Sequence, residues 1–185
     1  MTDIDRRTII ALSAGAIMTS LIPTPTIATA ALAPKPVGKP GDFDFLTGEW
    51  RIHNKFREGE KWIEFPGEAT VVGILGGIAS VEELRIPARG FSGMGLRLLD
   101  VEKKIWSDHW VNAKSGVVGV PGQLGIFEDG VGTFLSEGEG EQAGELYRGV
   151  WDRITPKSCR WFQGTSRDGG KTWDDSWFMD WTRAA

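Results

Sequence analysis

The chain has 185 residues, a net charge of −4 and 41% hydrophobic residues. That length suits one domain, and the mild, dispersed acidity excludes both the basic patch of a nucleic-acid binder and the polybasic run of a membrane-surface protein. Trp (9) and Gly (25) are abundant, whereas Cys and Tyr occur once each, so Cys159 has no partner for an internal disulfide and the fold must rest on its core.

Residues 1–30 read as an address. Arg6 and Arg7 precede an uncharged, largely apolar run over 9–22, and small residues at Ala28, Ala30, Ala31 and Ala33 offer cleavage after Ala30 or Ala33. The paired arginines resemble a twin-arginine export signal, which implies a periplasmic or secreted protein. A Pro-rich stretch over 31–42 then reads as a stiff, solvated leader.

The domain proper is expected over 43–185. From Trp50 the alternation is clean: Trp50, Ile52, Asn54 and Phe56 share one face, and Arg51, His53, Lys55 and Arg57 the other. A period of two is a half-buried strand with its apolar face inward, which leaves His53 on a basic exterior. Further strands are predicted over 62–75, with a bend or bulge at Pro66 and Gly67, then over 78–86, 91–99, 105–112, 117–127, 131–135, 145–154, 158–165 and 172–183. Every link is short and hairpin-compatible; the acidic, Gly-rich stretch 136–144 reads as a loose connection without the spacing of a calcium loop. About ten short-linked strands predict an antiparallel up-and-down sheet. Closing it into a β-barrel removes the exposed edges, and a β-sandwich is the competing architecture.

Two local motifs have a definite mechanism. Residues 166–173 fit S-x-D-x-G-x-T-W, resembling the Asp-box turn of sialidase propellers, in which Asp168 would accept backbone N–H groups and Trp173 would cover the loop. A single copy in so short a chain reads as structural. Gly48 and Trp50, taken with the closing strand that ends at Arg183, resemble the lipocalin-type signature of calycin barrels. There the Trp plugs one barrel end and a basic residue of the last strand lies across its indole; Arg183 is the candidate. Residues 43–51, 96–100, 125–134, 166–173 and 179–183 together resemble a bacterial family of secreted lipocalin-like proteins known only as a domain of unknown function. That resemblance covers roughly 43–183; it implies a lipocalin-like (calycin) barrel and brings no established activity.

Calycin barrels commonly bind small hydrophobic ligands in the lumen, and the strand-borne indoles suit an aromatic compound. The expected ligand-binding residues are Arg97, Trp106, Asp108, Trp110, Asn112, Tyr147, Trp161, Gln163 and Trp177. Arg97 stands out because its strand face otherwise carries only Gly93 and Gly95, which leaves room for a ligand or marks a flat edge. Catalytic candidates are His109, imidazole being the side chain most used for proton transfer, with Asp108, Glu83 and Tyr147; Arg148 is a further lumen candidate. If Trp106, Asp108, Trp110 and Asn112 face inward, His109 faces out or lies at the rim. No metal or cofactor is expected: two His and one Cys give no zinc signature, the C-terminal strands lack the proximal His of nitrobindin-like haem barrels, and no G-x-S-x-G, Walker loop or G-x-G-x-x-G is present. Three functions stay open. The first is an exported barrel binding a small hydrophobic or aromatic molecule, as monomer or dimer without nucleic acid or stable membrane association. The second is a cofactor-free lyase, isomerase or hydrolase in the same barrel, as phenolic acid decarboxylases are. The third is a structural or interaction module of the cell envelope.

Overall fold

The computed structural model describes residues 37–184; the stretch read as an export signal and the first part of the expected leader lie outside the described residues. Ten strands run β1 Gly48–Glu58, β2 Lys61–Ile74, β3 Ala79–Ile86, β4 Phe91–Asp100, β5 Ile105–Asn112, β6 Gln123–Glu128, β7 Val131–Glu137, β8 Leu146–Asp152, β9 Ser158–Ser166 and β10 Asp174–Arg183. Each pairs antiparallel with the next, and β1 pairs with β10, so the sheet is a closed up-and-down barrel and not a sandwich. Every strand therefore has a paired neighbour on each side. Among the described residues no helix is long and apolar enough to cross a membrane.

The alternation from Trp50 holds. Trp50, Ile52 and Asn54 are buried while Arg51, His53 and Lys55 are exposed. Two expected features fall elsewhere. The β1–β2 pairing runs without a shift from Gly48–Val71 to Glu58–Lys61, so Pro66 and Gly67 make no bulge. Pro66 is tolerated because β3 reaches only as far as Glu68, and its missing N–H is not required by that second ladder. The register shift lies instead between Asp175 and Trp177 in β10. The strand expected from residue 117 begins only at Gln123, and residues 113–122 form a connecting segment.

One end of the barrel is solid. Phe43 and the short turn Asp44–Leu46 cap it, and Phe43 packs edge-on against Trp106 at 4.9 Å and Phe127 at 5.0 Å. Trp50, Trp106, Trp151 and Trp181 are fully buried beside this cap. The Trp50 indole N–H donates to the Leu46 carbonyl at 2.6 Å, and Trp106 Nε1 donates to Asp42 at 3.1 Å. Burying each such side chain is worth roughly 2–3 kcal/mol, against about 0–1 kcal/mol for an exposed ion pair, so the aromatic plug dominates stability at this end.

Arg183 closes the seam. It pairs with Trp50 in the β1–β10 register, its guanidinium lies 4.1 Å from the Trp50 ring, and it donates to the carbonyls of Phe45 (2.7 Å), Pro156 (3.2 Å) and Thr47. Gly48 is required beside it: its φ is +127°, and an added Cβ would meet Arg183 Nη1 at 2.5 Å. At the opposite end, Asp168 accepts from the backbone N–H groups of Lys171 and Thr172 and from the hydroxyls of Thr172 and Ser166. These bonds, that of the Thr172 hydroxyl first, hold its carboxyl well below the usual range. The Trp173 indole donates to Gly170 and lies 4.5 Å beneath Arg148.

Two outcomes follow. Gly48→Ala combines backbone strain with displacement of Arg183 and is expected to cost about 2 kcal/mol, or roughly 4–8 °C of Tm in a thermal melt. Because the folded pKa of Asp168 is depressed, its stabilisation is present above the unfolded carboxylate range and fades as pH falls toward the folded value. Asp168→Ala should therefore lower Tm at neutral pH and flatten the acid limb of Tm against pH.

Candidate functional site

Beyond the plug the barrel is hollow. A cavity of about 350 Å³ lies between a polar floor and a ring of aromatic walls. Phe91 and Trp110 stack in parallel at 5.8 Å and 7°, and Trp161 meets Trp177 edge-on at 5.9 Å and 87°. The Trp177 indole is fixed by donating to Asn54 Oδ1 at 3.0 Å. Met179, Trp151 and Trp181 complete the lower wall.

The floor is built by three adjacent strands. Arg97 of β4 lies opposite Asp108 of β5, and Glu82 of β3 lies opposite Gly95, one inward position from Arg97. An added Cβ at Gly95 would sit 3.1 Å from Arg97 Nη2, so the space above that glycine holds the guanidinium itself. Arg97 Nη2 donates to Glu82 Oε2 at 2.5 Å, and Arg97 Nε lies 3.5 Å from Asp108 Oδ2. The side chains are 5%, 4% and 16% exposed for Arg97, Glu82 and Asp108, so Asp108 alone of the three reaches appreciably into open space. The guanidinium lies 5.2 Å from the rings of both Phe43 and Trp151, joining floor to plug.

Charge at the floor is unbalanced. Burial pushes the Asp108 carboxyl above its usual range; Arg97 pulls it down, Glu82 pushes it further up, and the net direction is up. Burial alone would lower Arg97, but Asp108 and Glu82 outweigh it and the net shift is upward. The guanidinium therefore stays charged, and Asp108 takes up a proton more readily than an exposed carboxyl does.

His109 enters by a route that strand parity hides. The β5–β6 pairing covers only Trp106 to Asp108 against Gly125 to Gln123. Beyond it the wall is completed by residues 113–122, tied back through the Val111–Val118 bridge and by Gly119 N–H donating to the Trp110 carbonyl at 2.9 Å. His109 lies under this segment, its Nδ1–H donating to the Gly119 carbonyl at 3.0 Å, and it lines the cavity with Pro121 and Gly122. Among the described residues, no hydrogen bond reaches its Nε2.

Of the expected ligand-binding residues, Arg97, Asp108, Trp110, Trp161, Gln163 and Trp177 line this cavity. Three do not. Trp106 shares their face but lies in the plug, Asn112 uses its side chain to cap the Lys114 N–H, and the Tyr147 hydroxyl donates to Glu145 at 2.8 Å. Two lumen candidates point outward. Glu83 bonds Arg85 on the outer face, and Arg148 pairs there with Asp175 at 2.8 Å, because Glu82 and Gly149 hold the inward positions on β3 and β8. The missed acidic residue is Glu82. Its period-two relation to Leu84 and Ile86, both buried, was the available signal. Burial pushes the Cys159 thiol up to about 12, which removes it as a nucleophile. Among the described residues, no three His, Cys, Asp or Glu side chains are grouped to hold a metal ion.

No family model matches the chain, and no curated protein sequence matches it. Among solved structures it is similar to Rv2717c from M. tuberculosis, with 14% identity and a TM-score of 0.51 over 78% of this chain and 98% of that one. It is also similar to a protein of unknown function from the DUF3598 family of Nostoc punctiforme, with 12% identity and a TM-score of 0.46 over 77% of this chain. The match takes in 49% of that protein, so the chain spans about half its length. At such identity the likeness to Rv2717c shows the barrel fold and nothing of activity.

Proposed function

We propose that the protein is an exported lipocalin-like barrel that binds a small hydrophobic or aromatic compound in its lumen. The observation that carries this is the aromatic-walled cavity of about 350 Å³ above a filled aromatic plug. Ligand pockets run roughly 300–1,000 Å³, with apolar walls and a few placed polar groups, and Arg97, Asp108 and Gln163 are such groups here. Export rests on the arginine pair and apolar run of the first 30 residues.

Asp108 and His109 favour a second reading, a cofactor-free acid/base enzyme in the same lumen. A carboxyl whose pKa is raised by burial is a better proton donor to a substrate oxygen than an exposed one, and an imidazole fixed through Nδ1 leaves Nε2 to accept a proton. Turnover lost in both Asp108→Asn and His109→Gln, with binding retained, would establish it.

Two measurements test the first reading. The neutral dye N-phenyl-1-naphthylamine should bind one-to-one and saturably. Trp110→Ala should weaken it about five- to tenfold, the loss of roughly 1–1.5 kcal/mol of ring stacking. Dye binding that does not saturate would discard the lumen as its site. Separately, the raised pKa of Asp108 means that folding favours its protonated form over its ionised one, relative to the unfolded chain. Its stability is fully present below the unfolded carboxylate pKa and is lost as pH rises through the folded value. The Tm of Asp108→Asn minus that of the natural chain should therefore grow from acid to neutral pH.

A further inference from the structure

We infer that the lumen takes an organic cation, an arylalkyl or alkyl amine whose ammonium head sits against Asp108 and whose apolar body lies between the upper rings. This rests on the ligand-binding reading of the same cavity and adds the sign of the ligand's charge.

Two carboxylates share one guanidinium at the floor. Glu82 takes the short bond at 2.5 Å, whereas Asp108 meets only Arg97 Nε at 3.5 Å. Among the described residues no hydrogen bond reaches Asp108 Oδ1. Arg97 Nη1 is also without a hydrogen-bond partner, but it is fully enclosed and its guanidinium lies over Phe43 and Trp151, so it is not the group a ligand meets first. What an incoming molecule meets is a carboxyl with a spare oxygen and one uncompensated negative charge. An anion adds repulsion, a neutral molecule leaves the charge in place, and a cation cancels it. The walls act in the same direction. Phe91, Trp110, Trp161 and Trp177 line the cavity, and an aromatic face attracts an ammonium group.

In the free protein a proton does what the cation does in the complex, so the two compete for Asp108. The groups facing it are Arg97 from β4, Glu82 from β3, His109 beside it on β5 and the neutral Gln123 from β6. Amine affinity should therefore fall as pH drops and Asp108 takes up its proton.

The test compares three compounds of one shape: 2-naphthylmethylammonium, 2-naphthylmethanol and 2-naphthoate, each displacing N-phenyl-1-naphthylamine. The ammonium should bind about tenfold tighter than the alcohol near pH 8, with the carboxylate weakest, and its advantage should shrink as the pH is lowered and Asp108 takes up its proton. Asp108→Asn should bring the ammonium-to-alcohol ratio to about one and remove its pH dependence. Alcohol or carboxylate binding as tight as the amine overturns the inference, as does a preference or pH dependence that survives Asp108→Asn. The ranking in the natural chain decides the matter even if the variant fails to fold. If neither the dye nor any of the three compounds binds, the ligand-binding reading itself fails.

Discussion

The placement of Arg183 on Trp50 is the constraint from which the rest of the molecule follows. It lies where the first strand meets the last, so it acts on the one pairing whose partners are farthest apart in sequence. Its N–H groups also hold the carbonyls of Phe45 and Thr47, which fixes the turn leading into β1. That turn carries Leu46, whose carbonyl receives the Trp50 indole, and brings Phe43 into the barrel end. Phe43 in turn lies beneath Arg97. One contact at the seam thus sets the plug, and the plug sets the height of the cavity floor.

Much of this was legible in the sequence because it depends on short periods. The face carried by Trp50, Ile52 and Asn54 is a count of two, Gly48 stands out by its place in the Gly-x-Trp signature, and the Asp168 turn is complete within eight residues. What was not legible depends on position along the barrel axis. Trp106 and Trp110 share one face of one strand, yet the first fills the plug and the second walls the cavity. Nothing local distinguishes them; the difference comes from how far residues 43–46 penetrate the barrel. Glu82 and Glu83 are adjacent and identical, so only the burial of Leu84 and Ile86 decides which turns inward. His109 keeps its outward parity and still reaches the cavity, since the wall parts after Asp108 and is patched by residues 113–122, under which its side chain lies.

The floor is costly as a purely structural device. Taking charges out of water costs several kcal/mol per ion, and a buried ion pair is often no better than apolar residues of the same volume. The barrel's outer face shows a simpler arrangement: Arg148 pairs with Asp175 and Arg160 with Asp152, one carboxylate to each guanidinium. Arg85 does take two carboxylates, Glu68 and Glu83, but both are more than half exposed and screened by water. Inside, Glu82 alone would neutralise Arg97. Asp108 adds a second desolvated carboxyl whose ionisation burial opposes, and the fold gains little from it. A group that stability does not account for stands where the polar floor meets an aromatic hollow, and that position is where a functional role for it is to be sought.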